Sequence, residues 1–161
     1  MWQRMLQIGS GGSTPKEIVE LVLPYMTSNS NEMGIAIEND NSTTNTPYLV
    51  FDNKDDTYTG CTQQLGWTGF NFNKPVCVKT VSFLPYDNSR VWGYVIEADN
   101  TPSFSNPTVL ASGNYSTKTS GTQEDVDVSA NETYFKCYRV RSTSSQFAYT
   151  MRTVKFFGYK Q

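Results

Sequence analysis

Three short segments and one turn of this chain concentrate side chains able to do chemistry. Asp87, Asn88, Arg90 and Trp92 lie within six residues of one another, Tyr58 closes an acidic turn, and Gln146, Phe147 and Tyr149 fall within four. Arg90 offers a planar fork of N–H donors, and Asp87 or Asn88 can accept from paired hydroxyls. Tyr58, Trp92, Phe147 and Tyr149 offer flat apolar faces, three of them with a polar edge. This is chemistry for holding a molecule by donation, acceptance and stacking. The turn Asp52-Asn53-Lys54-Asp55-Asp56-Thr57 is rich in hard oxygen donors, so Asp52, Asp55 and Thr57 are candidate calcium ligands. Lys54 sets a positive charge inside that turn, and a hydrogen-bonded Asx turn explains Asp52 and Asp55 equally well.

Catalysis has less to work with. The chain contains no His, which removes the commonest general base near neutral pH. A two-carboxylate glycosidase needs none, but Glu124, Asp125 and Asp127 alternate like a solvated strand, and Glu97 and Asp99 end another. No nucleophile stands beside a base, so an enzyme is not expected. Cys61, Cys77 and Cys137 are an odd set without CxxC spacing, which argues for buried reduced thiols over zinc or a disulfide framework. Three Asn-x-Ser/Thr sequences begin at Asn41, Asn114 and Asn131, weak signals in so Asn/Thr-rich a chain.

The elements that position these groups read as β-strands. With 161 residues, 37% hydrophobic and only 17% charged, the chain suits one domain whose surface is largely Ser, Thr, Asn and Gln. A net charge of -2 without a Lys/Arg run leaves no electrostatic footprint for nucleic acid or anionic lipid. No apolar stretch nears the roughly 18 residues that span a bilayer, and Met1 to Ser13 lacks the pattern of a secretory signal. Short aromatic and β-branched runs recur between polar turns: Tyr48 to Asp52, Gly66 to Phe72, Pro75 to Val78 and Arg90 to Asp99. Tyr94, Ile96 and Ala98 share one phase, as do Val126 with Val128, Tyr138 with Val140, and Val154 with Phe156. The outward phase takes Arg139 and Arg141. A phase slip at Lys79-Thr80 predicts a β-bulge. Turns are expected at Asn73-Lys74-Pro75, Asp87-Asn88-Ser89, Asn100-Thr101-Pro102, Ser112-Gly113-Asn114 and Ser120-Gly121, and Trp67 is expected in the core. The sum is an all-β jelly roll of about eight strands.

Ahead of it, residues 1–13 read as an arm and a Gly/Ser linker, with Trp2, Met5 and Leu6 giving the arm an apolar face. Thr14-Pro15-Lys16-Glu17 resembles a capping box, so residues 14–25 suit a short helix, although Ile18 to Leu23 would serve as a strand. Residues 26–161 form the domain.

In order and spacing, this chain resembles the discoidin, or coagulation-factor type C, group of galactose-binding-like jelly rolls. The resemblance rests on Tyr48 to Asp52, Gly66 to Phe72, Lys74 to Val78, Arg90 to Ala98, Tyr138 to Arg141 and Phe156 to Tyr159. It implies ligand binding at one end of the sandwich, on loops mapping to Asn39–Asn45, Tyr58–Gln64, Pro85–Trp92 and Ser144–Tyr149. The implied ligand site is then Tyr58, Asp87, Asn88, Arg90, Trp92, Gln146, Phe147 and Tyr149, whose chemistry suits a neutral sugar. Many members hold a structural calcium at the Asp52 turn with an acidic residue of the last strand, where this chain has Thr153 and Lys155. Leu23 to Asn29 is similar to the lead-in of such modules in phage tail and fibre proteins. The resemblance thus implies a non-catalytic module binding a cell-surface glycan on a phage virion, in several copies, joined to other virion proteins through the arm. A structural or decoration role for the same domain is the alternative.

Overall fold

Strand after strand here alternates core and surface residues, and each finds an antiparallel partner. The structure, a computed structural model, describes residues 16–39, 46–54, 56–61, 65–86, 92–115, 122–143 and 149–161, with the side chains of Cys61, Trp92 and Tyr149 outside that description. Among the described residues the strands are β1 (Val19–Glu20), β2 (Ser30–Asn31), β3 (Gly34–Glu38), β4 (Thr59–Cys61), β5 (Trp67–Pro85), β6 (Trp92–Asp99), β7 (Thr108–Tyr115), β8 (Glu124–Asp127), β9 (Phe135–Ser142) and β10 (Tyr149–Lys160). These are ten where about eight were expected, the difference being two-residue pieces such as β1 and β2.

The long strand β5 joins two layers. Its first half, Trp67 to Asn71, lies between β3 and β9, and β9 leads on to β6 and β7. Its second half, Val76 to Pro85, lies between β10 and β8. The corner falls at the expected turn: the ladder with β9 slips between Asn71 and Val76, where Pro75 has no N–H to donate. The predicted bulge is also present, because Thr80 pairs with Phe157 and Val78 with Gly158, leaving Lys79 unopposed. Lys79 is buried there and donates to Ser129 O, Asn131 O and Glu132.

Between the layers, Phe70, Phe72 and Tyr138 from one side meet Phe156 and Phe83 from the other, all fully buried. Phe51 packs edge-on against Phe70 at 5.3 Å and stacks on Phe156 at 6.1 Å. Val126, Val128, Val140, Val154 and Ile96 face this core as their phase predicted. Cys77 and Cys137 are free and buried, and burial lifts the Cys137 thiol to about 11. Asn131 is committed internally: its amide donates to Val78 O and Thr133 O, and its Oδ1 accepts from Thr133 N. That leaves its side-chain nitrogen no freedom for a glycan.

The structure departs from the sequence reading in four places. Residues 16–25 form no helix and take the strand alternative over two residues: Val19 and Glu20 pair with Gly158 and Phe157, and Leu21 N donates to Phe156 O. The open edge of β10 supplies hydrogen bonds that a short solvent-exposed helix would have to nucleate alone. Pro47–Phe51, expected as strand, is a 3-10 turn with proline at its start, which swings both Val50 and Phe51 inward. Ser112-Gly113-Asn114 is strand rather than turn. A Cβ on Gly113 would stand 2.6 Å from the Tyr94 hydroxyl, so the glycine admits that ring across the ladder. Trp67 faces away from the core, half-buried on the outer surface.

Candidate functional site

The pairing of β4 and β5 with β10 gathers one end of the sandwich. Thr59 lies opposite Met151, Met151 opposite Pro85, and Tyr86 N donates to Thr150 O at 3.1 Å. The register slips between Met151 and Thr153, so Arg152 is the bulged residue beside these chain ends. Thr59 Oγ1 donates to Glu38 Oε2 at 2.6 Å, tying β4 to the end of β3 in the other layer. Three side chains are thereby brought together. The rings of Tyr58 and Tyr86 lie 4.3 Å apart at 44°, and the Arg152 guanidinium sits 4.8 Å over Tyr86. Both tyrosines are 42% exposed, unusual for rings in mutual contact. Arg152 is half-buried, and its Nε is enclosed with no hydrogen-bond partner among the described residues. The arrangement is an aromatic platform with a stacked cation at its edge, suited to ring faces and to acceptor groups.

Of the eight residues expected at the ligand site, Tyr58 is the one seen in this cluster. Asp87, Asn88, Arg90, Gln146 and Phe147 lie outside the described residues. Trp92 and Tyr149 are placed by backbone alone, opposite Tyr115 and Cys61. Tyr86 and Arg152 were not singled out from the sequence. Tyr86 fell within a mapped loop, whereas Arg152 carries no local signal: it reads as one more polar residue in an alternating strand until the bulge turns it. Trp2, Met5 and Leu6, the expected attachment residues, also lie outside the described residues.

The acidic turn is an Asx turn, with Lys54 N donating to Asp52 Oδ1 at 2.9 Å. It is also a convergence of oxygens. Thr57 Oγ1 lies 2.9 and 3.0 Å from the two Asp52 carboxylate oxygens, 3.2 Å from Lys54 O and 3.4 Å from Leu49 O. A hydroxyl has one proton, so it cannot serve four acceptors. One carboxylate, two carbonyls and a hydroxyl are hard donors of the kind calcium takes, with water completing its shell. The residues therefore fit a calcium ion, although the last strand brings no carboxylate: Lys155 donates to Asn53 Oδ1 at 2.8 Å instead. Asp55 lies outside the described residues. Among the described residues no three His, Cys, Asp or Glu side chains gather, and no helix is long and apolar enough to cross a membrane.

Comparison with protein-family models and with curated sequences finds no match. Solved structures do match. A truncated AlyQ with CBM32 and alginate lyase domains superposes with a TM-score of 0.70 at 17% identity, over 91% of this chain and 35% of that one. The family 32 carbohydrate-binding module of C. perfringens NanJ, in complex with galactose, gives 0.66 at 12% identity over 88% and 99%. CBM62 from Clostridium thermocellum Xyl5A gives 0.66 at 27% identity over 78% and 94%. This chain has the galactose-binding-like jelly-roll fold. It spans about a third of the two-domain lyase protein and nearly the whole of the isolated modules.

The outer face of this jelly roll carries a second cluster. Glu97 accepts from Arg139 Nε at 2.6 Å and from Arg141 Nε and Nη2 at 3.0 and 2.9 Å. The Arg139 guanidinium lies 4.2 Å over Phe104 and 5.1 Å over Trp67, so the segment after β6 closes over it. Asp99 holds that segment by accepting from the backbone N–H groups of Asn100, Thr101 and Asn106. Burial works against both carboxylates, but the Arg141 and Arg139 bonds to Glu97 and the N–H bonds to Asp99 outweigh it, and each pKa falls below its ordinary value. Arg139 faces outward as expected, yet this cover leaves it only 9% exposed. A groove of about 520 Å³ runs beside it, lined by Ile37, Glu38, Asn39, Trp67, Pro102 and Ser103. These charges neutralise one another, which makes the cluster a brace.

Proposed function

We propose that the protein is a non-catalytic glycan-binding domain whose ligand lies against the Tyr58–Tyr86 platform. The observation that carries this reading is the exposed ring pair with Arg152 stacked at its edge. Apolar C–H faces of a pyranose stack on such rings, and its hydroxyls take directional hydrogen bonds at the rim. The fold supports it: structures of the same architecture include modules in complex with galactose and with 4,5-unsaturated mannuronic acid. Calcium, held by Asp52, Thr57 and the carbonyls of Leu49 and Lys54, would brace the turn that leads into Tyr58. The test is a glycan array probed with a multimerised domain, since several copies raise avidity without new contacts. Binding that weakens in Tyr58→Ala and Tyr86→Ala is expected; silence across wall polysaccharides, galactosides and uronates overturns the reading.

The setting we propose is attachment of a phage virion to a host surface glycan, supported by the arm and Gly/Ser linker of the sequence. Deleting residues 1–13 should abolish incorporation into particles while sparing glycan binding. Unchanged incorporation refutes the arm's role.

A further inference from the structure

Among the described residues Arg152 makes no ion pair and no hydrogen bond; its one contact of note is the Tyr86 ring at 4.8 Å. The other arginines of the described strands behave differently. Arg139 and Arg141 converge on Glu97, as a chain with 13 basic and 15 acidic residues readily allows. Arg152 is thus a guanidinium held over an aromatic face, with no ion-pair partner among the described residues, at the edge of an exposed platform. Its Nε is enclosed, so whatever the cation binds must be met by the terminal amino groups. Its place over the Tyr86 ring leaves the terminal amino groups without a partner among the described residues, and a planar carboxylate matches such a fork better than a lone hydroxyl does. Successive separations of 4.3 and 4.8 Å, ring to ring and ring to cation, keep the charge within one sugar's length of the platform.

From this we infer that the ligand of the Tyr58–Tyr86 platform is a uronic-acid polysaccharide, with a sugar-ring carboxylate paired to Arg152. The inference rests on the glycan-binding reading above and narrows it to an acidic substrate class, where the loop residues mapped by the resemblance had suited a neutral sugar. Uronate has the two parts the site asks for: a pyranose face for the rings and an equatorial carboxylate at the ring edge for the cation.

The experiment is titration calorimetry of the full chain with oligogalacturonate and oligomannuronate, and with the same oligomers after reduction of their carboxyl groups to alcohols. The carboxylate forms should bind at least about tenfold more tightly at low salt, with a preference that shrinks as salt screens the pair. Arg152→Gln should erase the preference, and Arg152→Lys should restore part of it. Equal affinity for both forms, tighter binding of a sulfated galactan, or an unchanged ratio in Arg152→Gln overturns the inference. Should Arg152→Gln fail to fold, the ratio and salt dependence of the wild-type chain decide. Binding of neutral galactosides alone sinks the acidic class and leaves the glycan-binding reading standing; binding of no glycan sinks both.

Discussion

Removing the Glu97 carboxylate tests whether the outer-face brace holds the front layer together. In Glu97→Ala, Arg139 would stay wedged between Trp67 and Phe104 with no anion, and Arg141 would lose a two-pronged partner. Breaking a buried pair from one side costs about 3–5 kcal/mol, because the remaining charge is left without compensation. The side chains of Arg139 and Arg141 are 11% and 28% exposed, so Arg141 recovers some hydration and the lower half of that range applies. At about 2–4 °C per kcal/mol for a domain of this size, Tm should fall by roughly 6–15 °C. Scanning calorimetry and urea titration measure it, the latter as a lower midpoint at unchanged slope. Replacing all three groups with apolar ones, Glu97→Leu with Arg139→Met and Arg141→Met, should return most of the loss.

The same site sets a pH signature. The folded pKa of Glu97 lies below its ordinary value of 4.5, so its stabilisation is complete above that value and is lost as pH falls through the folded pKa. Wild type should therefore lose more stability than Glu97→Gln between about pH 5 and about pH 3. A Tm within about 2 °C of wild type in Glu97→Ala, or parallel pH curves for the two proteins, refutes the brace.

Three further outcomes follow from the geometry. Tyr86→Ala should leave Tm nearly unchanged, since the ring is 42% exposed, yet weaken glycan binding by about five- to thirtyfold; an unaltered titration curve would place the ligand elsewhere. Calcium at about 10 mM should raise Tm by roughly 5–10 °C over chelator if its affinity is near 10⁻⁴ M, and Thr57→Val should abolish the rise; no response in thermal melts counts against the cation. Asn131→Ala should cost about 1–2 kcal/mol by releasing Val78 O and Thr133 N, and mass spectrometry of protein from a glycosylating host should find Asn131 unmodified.

What the sequence showed and what it hid divide along one physical line. Period-two alternation is local, so Tyr138, Val140, Val154 and Phe156 could be assigned to the core without knowing their partners, and the slip at Lys79 could be read as a bulge. Wherever the outcome depended on a partner from a distant strand, the local pattern misled. Residues 16–25 had helix-start chemistry, but the open edge of β10 claimed their hydrogen bonds. Gly113 looked like a turn because glycine usually marks one, whereas the space it leaves is filled by Tyr94 from the neighbouring strand. Trp67 looked like core because it opens a strand between glycines, while its actual partners, Phe104 and Arg139, come from 37 and 72 residues further along.

The candidate site obeys the same rule more severely. Tyr58 was legible because an aromatic residue after a polar turn is a recognition signal in its own right. Arg152 was not, because its significance comes from three non-local facts: the bulge that rotates it, the Tyr86 ring that receives it, and the absence of a carboxylate among its described neighbours. The mapped loops suited a neutral sugar because they combine aromatic faces with polar groups for hydroxyls. Composition counts charges but cannot say which are already paired. Glu97 pairs with both described arginines of the outer face, and the remaining arginine of the described strands, Arg152, stands beside the exposed rings with no carboxylate partner among the described residues.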